Sequence, residues 1–174
     1  RKRNIPIRVL NSTNPECEGS SVVRSDEAPG GPKSVAFRSE ILFVRIRSSR
    51  LEGVTRMLGK VFAVLYPKRI PVTLAKATES EVCLVIPEEE DGLAEAFDEI
   101  RKWAEVTVYR DKSFIAVIGR DIVGFEGLGD KVIGFSGKVY MANVGANMMS
   151  ESFVIDRDRL QVTLERLHDY IFEQ

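Results

Sequence analysis

Four glycines at 119, 124, 127 and 129 stand in the stretch GRDIVGFEGLG, between an apolar run and a helical stripe. Glycines at a strand-to-helix turn let backbone amides approach an anion. A nucleotide is a poor fit. No Gly-Lys-Ser/Thr follows, the Gly-x-x-Gly-x-Gly spacing is not a dinucleotide fingerprint, and no acidic residue follows on a neighbouring parallel strand. Two readings stay open: amides around Gly124 and Gly127 that hold the carboxylate of an amino acid at a helix N-terminus, or glycines that serve only the turn. A second candidate is Thr78-Glu79-Ser80-Glu81, whose hydroxyls and carboxylates suit an ammonium group; the plainer alternative is a solvated turn. The acidic run Glu88-Glu89-Glu90-Asp91 precedes a helix, where negative charge needs no metal to explain it. His168, the sole histidine, lies near the end of the last helix, so the helix C-terminus accounts for it. No Ser, Cys or Asp with an activating neighbour suggests a nucleophile. Arg120 with Asn143 is a faint candidate for an acylphosphatase-like pair.

The elements that must position these residues follow from apolar periodicity. Ile41–Ile46 is a strand, and Val54, Met57, Leu58, Val61, Phe62 and Leu65 then form a helical stripe that Pro67 stops. Ile70–Leu74 and Val82–Ile86 are strands of a hairpin. A helix starts at Asp91 with Leu93, Phe97, Ile100 and Trp103 or Ala104 inward, and Val106 and Val108 close the unit. The same β-α-β-β-α order recurs in 113–172. Phe114–Ile118 is a strand, and a short helix carries Leu128, Val132 and Ile133 up to Gly137. Strands at Val139–Val144 and Ser152–Ile155 follow. The last helix carries Leu160, Leu164, Leu167 and Ile171, with Asp156 as its expected N-cap. This second copy is one strand short, and residues 34–37 could supply the missing edge. The fold class is therefore α+β, two ferredoxin-like (βαββαβ) units with one sheet each, interlocked by insertion of the first in the second.

Bulk properties bound the function. Of 174 residues, 44% are hydrophobic and 29% charged, with a net charge of −1 and both signs interspersed. That leaves no broad field for nucleic acid or anionic lipid, and no apolar run is long enough to span a bilayer. Cys17 and Cys83 lack metal-ligand spacing and read as free buried thiols in a reducing cytoplasm. Residues 11–33, rich in Ser, Asn, Pro and Gly, read as a linker. The chain opens on Arg1 with a strand already under way at Ile5–Leu10, as a piece of a longer polypeptide would.

The opening NIPIRVLNSTNPECEGSSV also resembles the end of the kinase domain of aspartate kinases, with its Ile-Pro-Ile-Arg-Val, Asn-Thr-x-Asn-Pro and Glu-x-x-Gly-Thr pattern. The remainder resembles that family's regulatory region, a tandem pair of ACT domains. VIGRDIVGFEGLGDKVI matches at Gly119, Gly124, Gly127 and Val132, SFVID at 152–156 matches the next strand, and Ser80-Glu81-Val82 matches a Ser-Glu-Val. The resemblance implies the end of a kinase domain and linker at 1–33. A first ACT unit would follow at 34–110, with 34–39 as a possible edge strand of the second, and a second unit at 111–174.

By that resemblance the parent enzyme would phosphorylate aspartate with ATP and magnesium, which this chain alone would not do; no cofactor is expected in it. The chain would bind a feedback amino acid through Leu58 and Val72 on the pocket wall and Ser80 and Glu81 at the polar ends. Gly124 and Gly127 are the corresponding positions of the second unit. Thr73 in place of an aspartate and Lys76 in place of a serine favour threonine over lysine. A cytoplasmic homodimer through ACT units is expected. A free-standing amino-acid sensor and a purely structural dimerisation arm are the alternatives.

Overall fold

Two strands of unusual length organise the molecule. The computed structural model describes residues 7–9, 20–22, 30–146 and 148–172. Its elements are β1 (Ile7–Val9), β2 (Ser20–Val22), β3 (Gly31–Arg47), α1 (Val54–Leu65), β4 (Leu74–Ala77), β5 (Glu81–Pro87), α2 (Leu93–Arg101), β6 (Glu105–Arg120), α3 (Leu128–Ser136), β7 (Val139–Asn143), β8 (Ser150–Asp156) and α4 (Leu160–Phe172). β1 and β2 pair with each other. Cys17 and most of the opening signature lie outside the described residues. Among the described residues no helix is long and apolar enough to cross a membrane.

The other six strands form one antiparallel sheet in the order β4-β5-β3-β6-β8-β7. β3 and β6 pair from Gly31 opposite Arg120 to Arg47 opposite Glu105, with register shifts near Arg38, Ile41 and Phe43. One end of this central ladder carries β5 and β4, the other β8 and β7. Each half therefore has the strand order of a βαββαβ unit, as the α+β reading expected. One sheet per unit is corrected to a single shared sheet. The polar segment Tyr109–Lys112, between the strands expected at Val106–Val108 and Phe114–Ile118, is a bulge at which β6 continues, with Asp111 at φ 54°. Residues 34–37 pair with 115–118 of β6.

Strand alternation divides the apolar side chains between the two faces. Leu42, Val44, Ile46, Leu84 and Ile86 pack under α1 and α2, against Met57, Val61, Phe97 and Ile100. Ile115, Val117, Phe153 and Ile155 pack under α3 and α4, against Leu128, Val132, Leu160 and Leu167. The opposite faces of the two halves then meet each other. Ile41, Phe43 and Val85 of the first half join Met141 and Val154 of the second. The rings of Phe43, Tyr109 and Tyr140 lie 5.6–6.1 Å apart there. The sheet is curled, with the helices outside.

Several sequence expectations are corrected in detail. Val54, Phe62 and Ile133 remain exposed, and Val64 is buried in their stead. The strand placed at Ile70–Leu74 begins only at Leu74: Pro71 has no N–H to donate, and Ile70 packs into the core. The helix placed from Asp91 starts at Leu93, after Gly92 at φ 77°. Asp156 makes no capping bond. Its Oδ1 accepts from Lys112 Nζ at 2.8 Å and from the Tyr140 hydroxyl at 2.9 Å. Glu88, expected to serve the helix start, instead bridges Arg110 at 2.9 Å and Arg157 of the second unit at 2.8 Å. These ion pairs tie the two halves at the bend of the sheet.

Candidate functional site

The connection from β3 to α1 forms one wall of an open concavity. Gly53, at φ 80°, opens α1 with no side-chain cap and no acidic residue in the first turn, so the entering loop depends on its neighbours. It is stitched to the hairpin between β4 and β5. Ser48 N donates to Ser80 O at 2.8 Å, and Glu52 N and Gly53 N both donate to Glu79 O at 3.1 Å. Within the loop, Ser48 Oγ donates to Glu52 Oε1 at 3.2 Å, and Lys60 Nζ reaches both carboxylate oxygens of Glu52 at 3.0 and 3.1 Å. The Lys60 hydrogen bond holds the Glu52 carboxyl below its ordinary range. The same ammonium lies 3.9 Å from the centre of the Trp103 ring, a cation–π contact. The loop, α1 and the exit of α2 are thereby fixed to one another.

Between this loop and the turn from α2 to β6 lies a cleft of about 770 Å³, lined by Arg47, Arg50, Ser80, Arg101, Lys102 and Trp103 among others. The sequence reading passed over these cations. An available signal was the alternation ILFVRIR, which puts Arg45 and Arg47 on the face opposite Val44 and Ile46.

The effector positions are divided by the fold. Leu58 and Val72 pack, partly buried, on the helix-side core. Ser80 lines the cleft. Glu81, one residue on, opens β5 opposite Arg47 of β3. There its carboxylate takes Arg45 Nη2 at 2.8 Å, which holds the carboxyl below its ordinary range and the guanidinium above its own. Cys83 Sγ donates to the same carboxylate at 3.4 Å, and burial with that contact pushes its thiol up to about 11. Such a thiol stays protonated at neutral pH and is a poor nucleophile.

The glycine-rich turn of the second unit serves packing at one end. A Cβ on Gly119 would fall 2.0 Å from Gly31 O, so close approach of β3 and β6 requires glycine there. Gly124 ends a short 3-10 turn, and Gly127, at φ 80°, opens α3. A Cβ on Gly127 would meet nothing within 4 Å. Asp130 in the first turn of α3 already places negative charge at that helix end. Arg120 and Asn143 are not level: Asn143 pairs with Ser152, which pairs with Ala116, four residues short of Arg120 along β6.

Glu151 on β8 was missed by sequence reasoning. It shares the helix-side face with Phe153 and Ile155, is 4% exposed, and its Oε2 has no hydrogen-bond partner. Burial raises its carboxyl above the ordinary range. A raised folded pKa means the folded chain binds the proton more tightly, so stability falls as pH rises above the usual glutamate value of 4.5. Glu151→Gln removes the ionisation. It is expected to raise stability near pH 8 by about 1 kcal/mol, since a buried charge costs more than a buried amide. The gain should shrink towards pH 4.5, and urea unfolding across that range measures it.

Comparison with known proteins places this geometry. No family model matches the chain. Aspartokinase 3, chloroplastic, of Arabidopsis thaliana is 28% identical over 186 residues, covering 99% of this chain and 33% of that protein. The chain spans about a third of the length of the first curated relatives it matches. The crystal structure of E. coli aspartokinase III with aspartate and ADP (R-state) superposes with a TM-score of 0.82 at 23% identity, over 97% of this chain and 40% of that one. Its complex with lysine and aspartate (T-state) gives 0.78 at 23% identity, over 97% and 39%. A putative C-terminal regulatory domain of aspartate kinase from Porphyromonas gingivalis W83 gives 0.69 at 22% identity, over 80% of this chain and 96% of that one.

Proposed function

We propose that this chain, homologous to aspartokinases along its length and folded like their regulatory domains, is the allosteric sensor of an aspartate kinase. The observation that carries the reading is the alignment over 99% of the chain, joined to a fold match that covers nearly all of a stand-alone regulatory domain. The parent enzyme would transfer phosphate from ATP, with magnesium, to the side-chain carboxylate of aspartate. The chain would bind a feedback amino acid beside α1, with Leu58 and Val72 on the wall and Ser80 at a polar end, Glu81 joining it by exchanging its bond to Arg45 for the ligand. Effector binding would favour the arrangement in which the attached kinase is less active.

Threonine is favoured over lysine. Arg56 and Lys76 flank the pocket positions and Thr73 stands where an aspartate would suit lysine, so an ammonium side chain would meet added cations and one carboxylate fewer. The lysine-bound relative keeps its own effector. A homodimer fits the same reading. Among the described residues β4 and β7 end the sheet with unpaired edges, and Val54, Phe62 and Tyr66 leave apolar surface on and just beyond α1.

Thermal unfolding against lysine, threonine, methionine, aspartate and S-adenosylmethionine tests the proposal. A ligand at a hundred times its dissociation constant adds about 2.7 kcal/mol, which is roughly 5–10 °C for a chain of this size. A selective rise with threonine is the expected result. A rise with lysine alone would overturn the effector assignment. No rise with any of the five, in a folded and dimeric chain, would leave a structural arm as the function.

A further inference from the structure

We propose that the cleft at the end of the first unit binds a small molecule bearing a phosphate group. It is distinct from the amino-acid positions, with which it shares only Ser80, and it stands on the cleft alone, whichever amino acid the chain senses. Its volume of about 770 Å³ lies inside the range of about 300–1,000 Å³ usual for small-molecule sites.

The lining is strongly one-signed. Arg47 and Arg50 come from the end of β3 and the loop after it, Arg101 and Lys102 from the end of α2, and Glu105 is the one carboxylate among the lining residues. Of the nearby acids, Glu81 is held by Arg45 and Glu52 by Lys60, while Asp98 pairs on the exposed side with Arg101, itself one of the lining cations. Arg47, Arg50 and Lys102 form no ion pair among the described residues. Cations at a helix C-terminus need no ligand, which accounts for Arg101 and Lys102. It does not account for the arginines brought from another segment to the same cleft: Arg47 is offset by its cross-strand neighbours Glu81 and Glu105, but Arg50 is not, and it adds to the repulsion among the like charges there. A phosphate dianion relieves that repulsion, and guanidinium forks match its oxygens in pairs. Trp103 in the wall offers an apolar surface to the organic part of such a ligand, its ring already fixed by Lys60.

Calorimetric titration of the whole chain with inorganic pyrophosphate and with ADP, at low and raised salt, tests this. Both are expected to bind, more weakly as salt screens the charges. Removing two of the four cations in the R50A/K102A double variant should weaken binding at least about tenfold. Both side chains are exposed, so circular dichroism should be unchanged. Arg166→Ala, on the exposed face of α4, should bind like the unaltered chain. No heat with either probe, or a double variant that matches the unaltered chain, overturns the proposal. The double variant should also keep its thermal response to the amino acid. Loss of both responses together would assign the cleft to the amino-acid site and overturn a separate phosphate site.

Discussion

Gly119→Ala is expected to lower the unfolding free energy by about 3 kcal/mol, a drop in Tm of roughly 6–12 °C for a chain of this length. The added Cβ would lie 2.0 Å from Gly31 O, 2.7 Å from Gly31 C and 2.9 Å from Pro32 Cα. All three are backbone atoms, so no rotamer change can make room. β3 and β6 would have to part where Pro32 faces Gly119, next to the Gly31–Arg120 pair. The bond from Gly119 N to Met149 O, 2.9 Å, would be strained with them. Overpacking usually costs 1–3 kcal/mol, and an immovable obstacle puts this case at about the upper end. Gly127→Ala is the control. It has open space but φ 80°, so it should cost about 1–2 kcal/mol from the left-handed backbone alone. A loss at 119 no larger than at 127 would show that the strands can separate cheaply.

Lys112→Ala should cost about 2–3 kcal/mol, just under the range for breaking a buried ion pair. Lys112 is 8% exposed, at the bend where β6 passes from one half of the sheet to the other. Its ammonium lies 2.8 Å from Asp156 Oδ1 and 4.6 Å from the centre of the Tyr140 ring. The discount arises because Asp156 keeps its bond from the Tyr140 hydroxyl and its side chain is 30% exposed. The pH dependence separates this from simple loss of packing. Burial pushes the Asp156 carboxyl up, but hydrogen bonds from Lys112 and Tyr140 outweigh it and hold the carboxyl below its ordinary 3.8. A depressed folded pKa gives stability that is present above 3.8 and lost as pH falls through the folded value. Burial likewise opposes the charge on Lys112, yet Asp156 holds it above 10.5, so its contribution is complete below that pH and fades above it. The gap between variant and unaltered chain should be flat across neutral pH and close in acid. Urea unfolding from pH 7 down to pH 3 measures this, and a gap that persists undiminished at pH 3 would refute the ionic account.

How much of this was legible beforehand depended on whether the information was local. Apolar spacing placed the strands around 41–46 and 82–86. It also placed the helix that buries Leu160 and Leu167, because the side chains that face a core repeat with the period of their own element. Turn chemistry put Gly137 at the end of α3, where it sits at φ 76°. The motifs at 4–22 and 117–133 led to the aspartate kinase resemblance, and the relatives found along the whole length carry it further.

Tertiary structure decided the rest. The polar residues Arg38–Glu40 and Arg110–Lys112 looked like strand ends, yet β3 and β6 run through them because each strand has a partner on the far side of the bulge. Only that pairing makes one curled sheet from two units. It puts Ser80 in the cleft while the Glu81 carboxylate is taken by Arg45, and it turns Asp156 from an expected cap into the partner of Lys112. It also crowds Gly119 against Gly31 and gathers Arg47 and Arg50 with Arg101 and Lys102. The sequence by itself determined most of the strand and helix cores, since that periodicity is written in neighbouring residues. Which charges meet was decided by the fold, since partners distant in the chain become neighbours only when the strands pair.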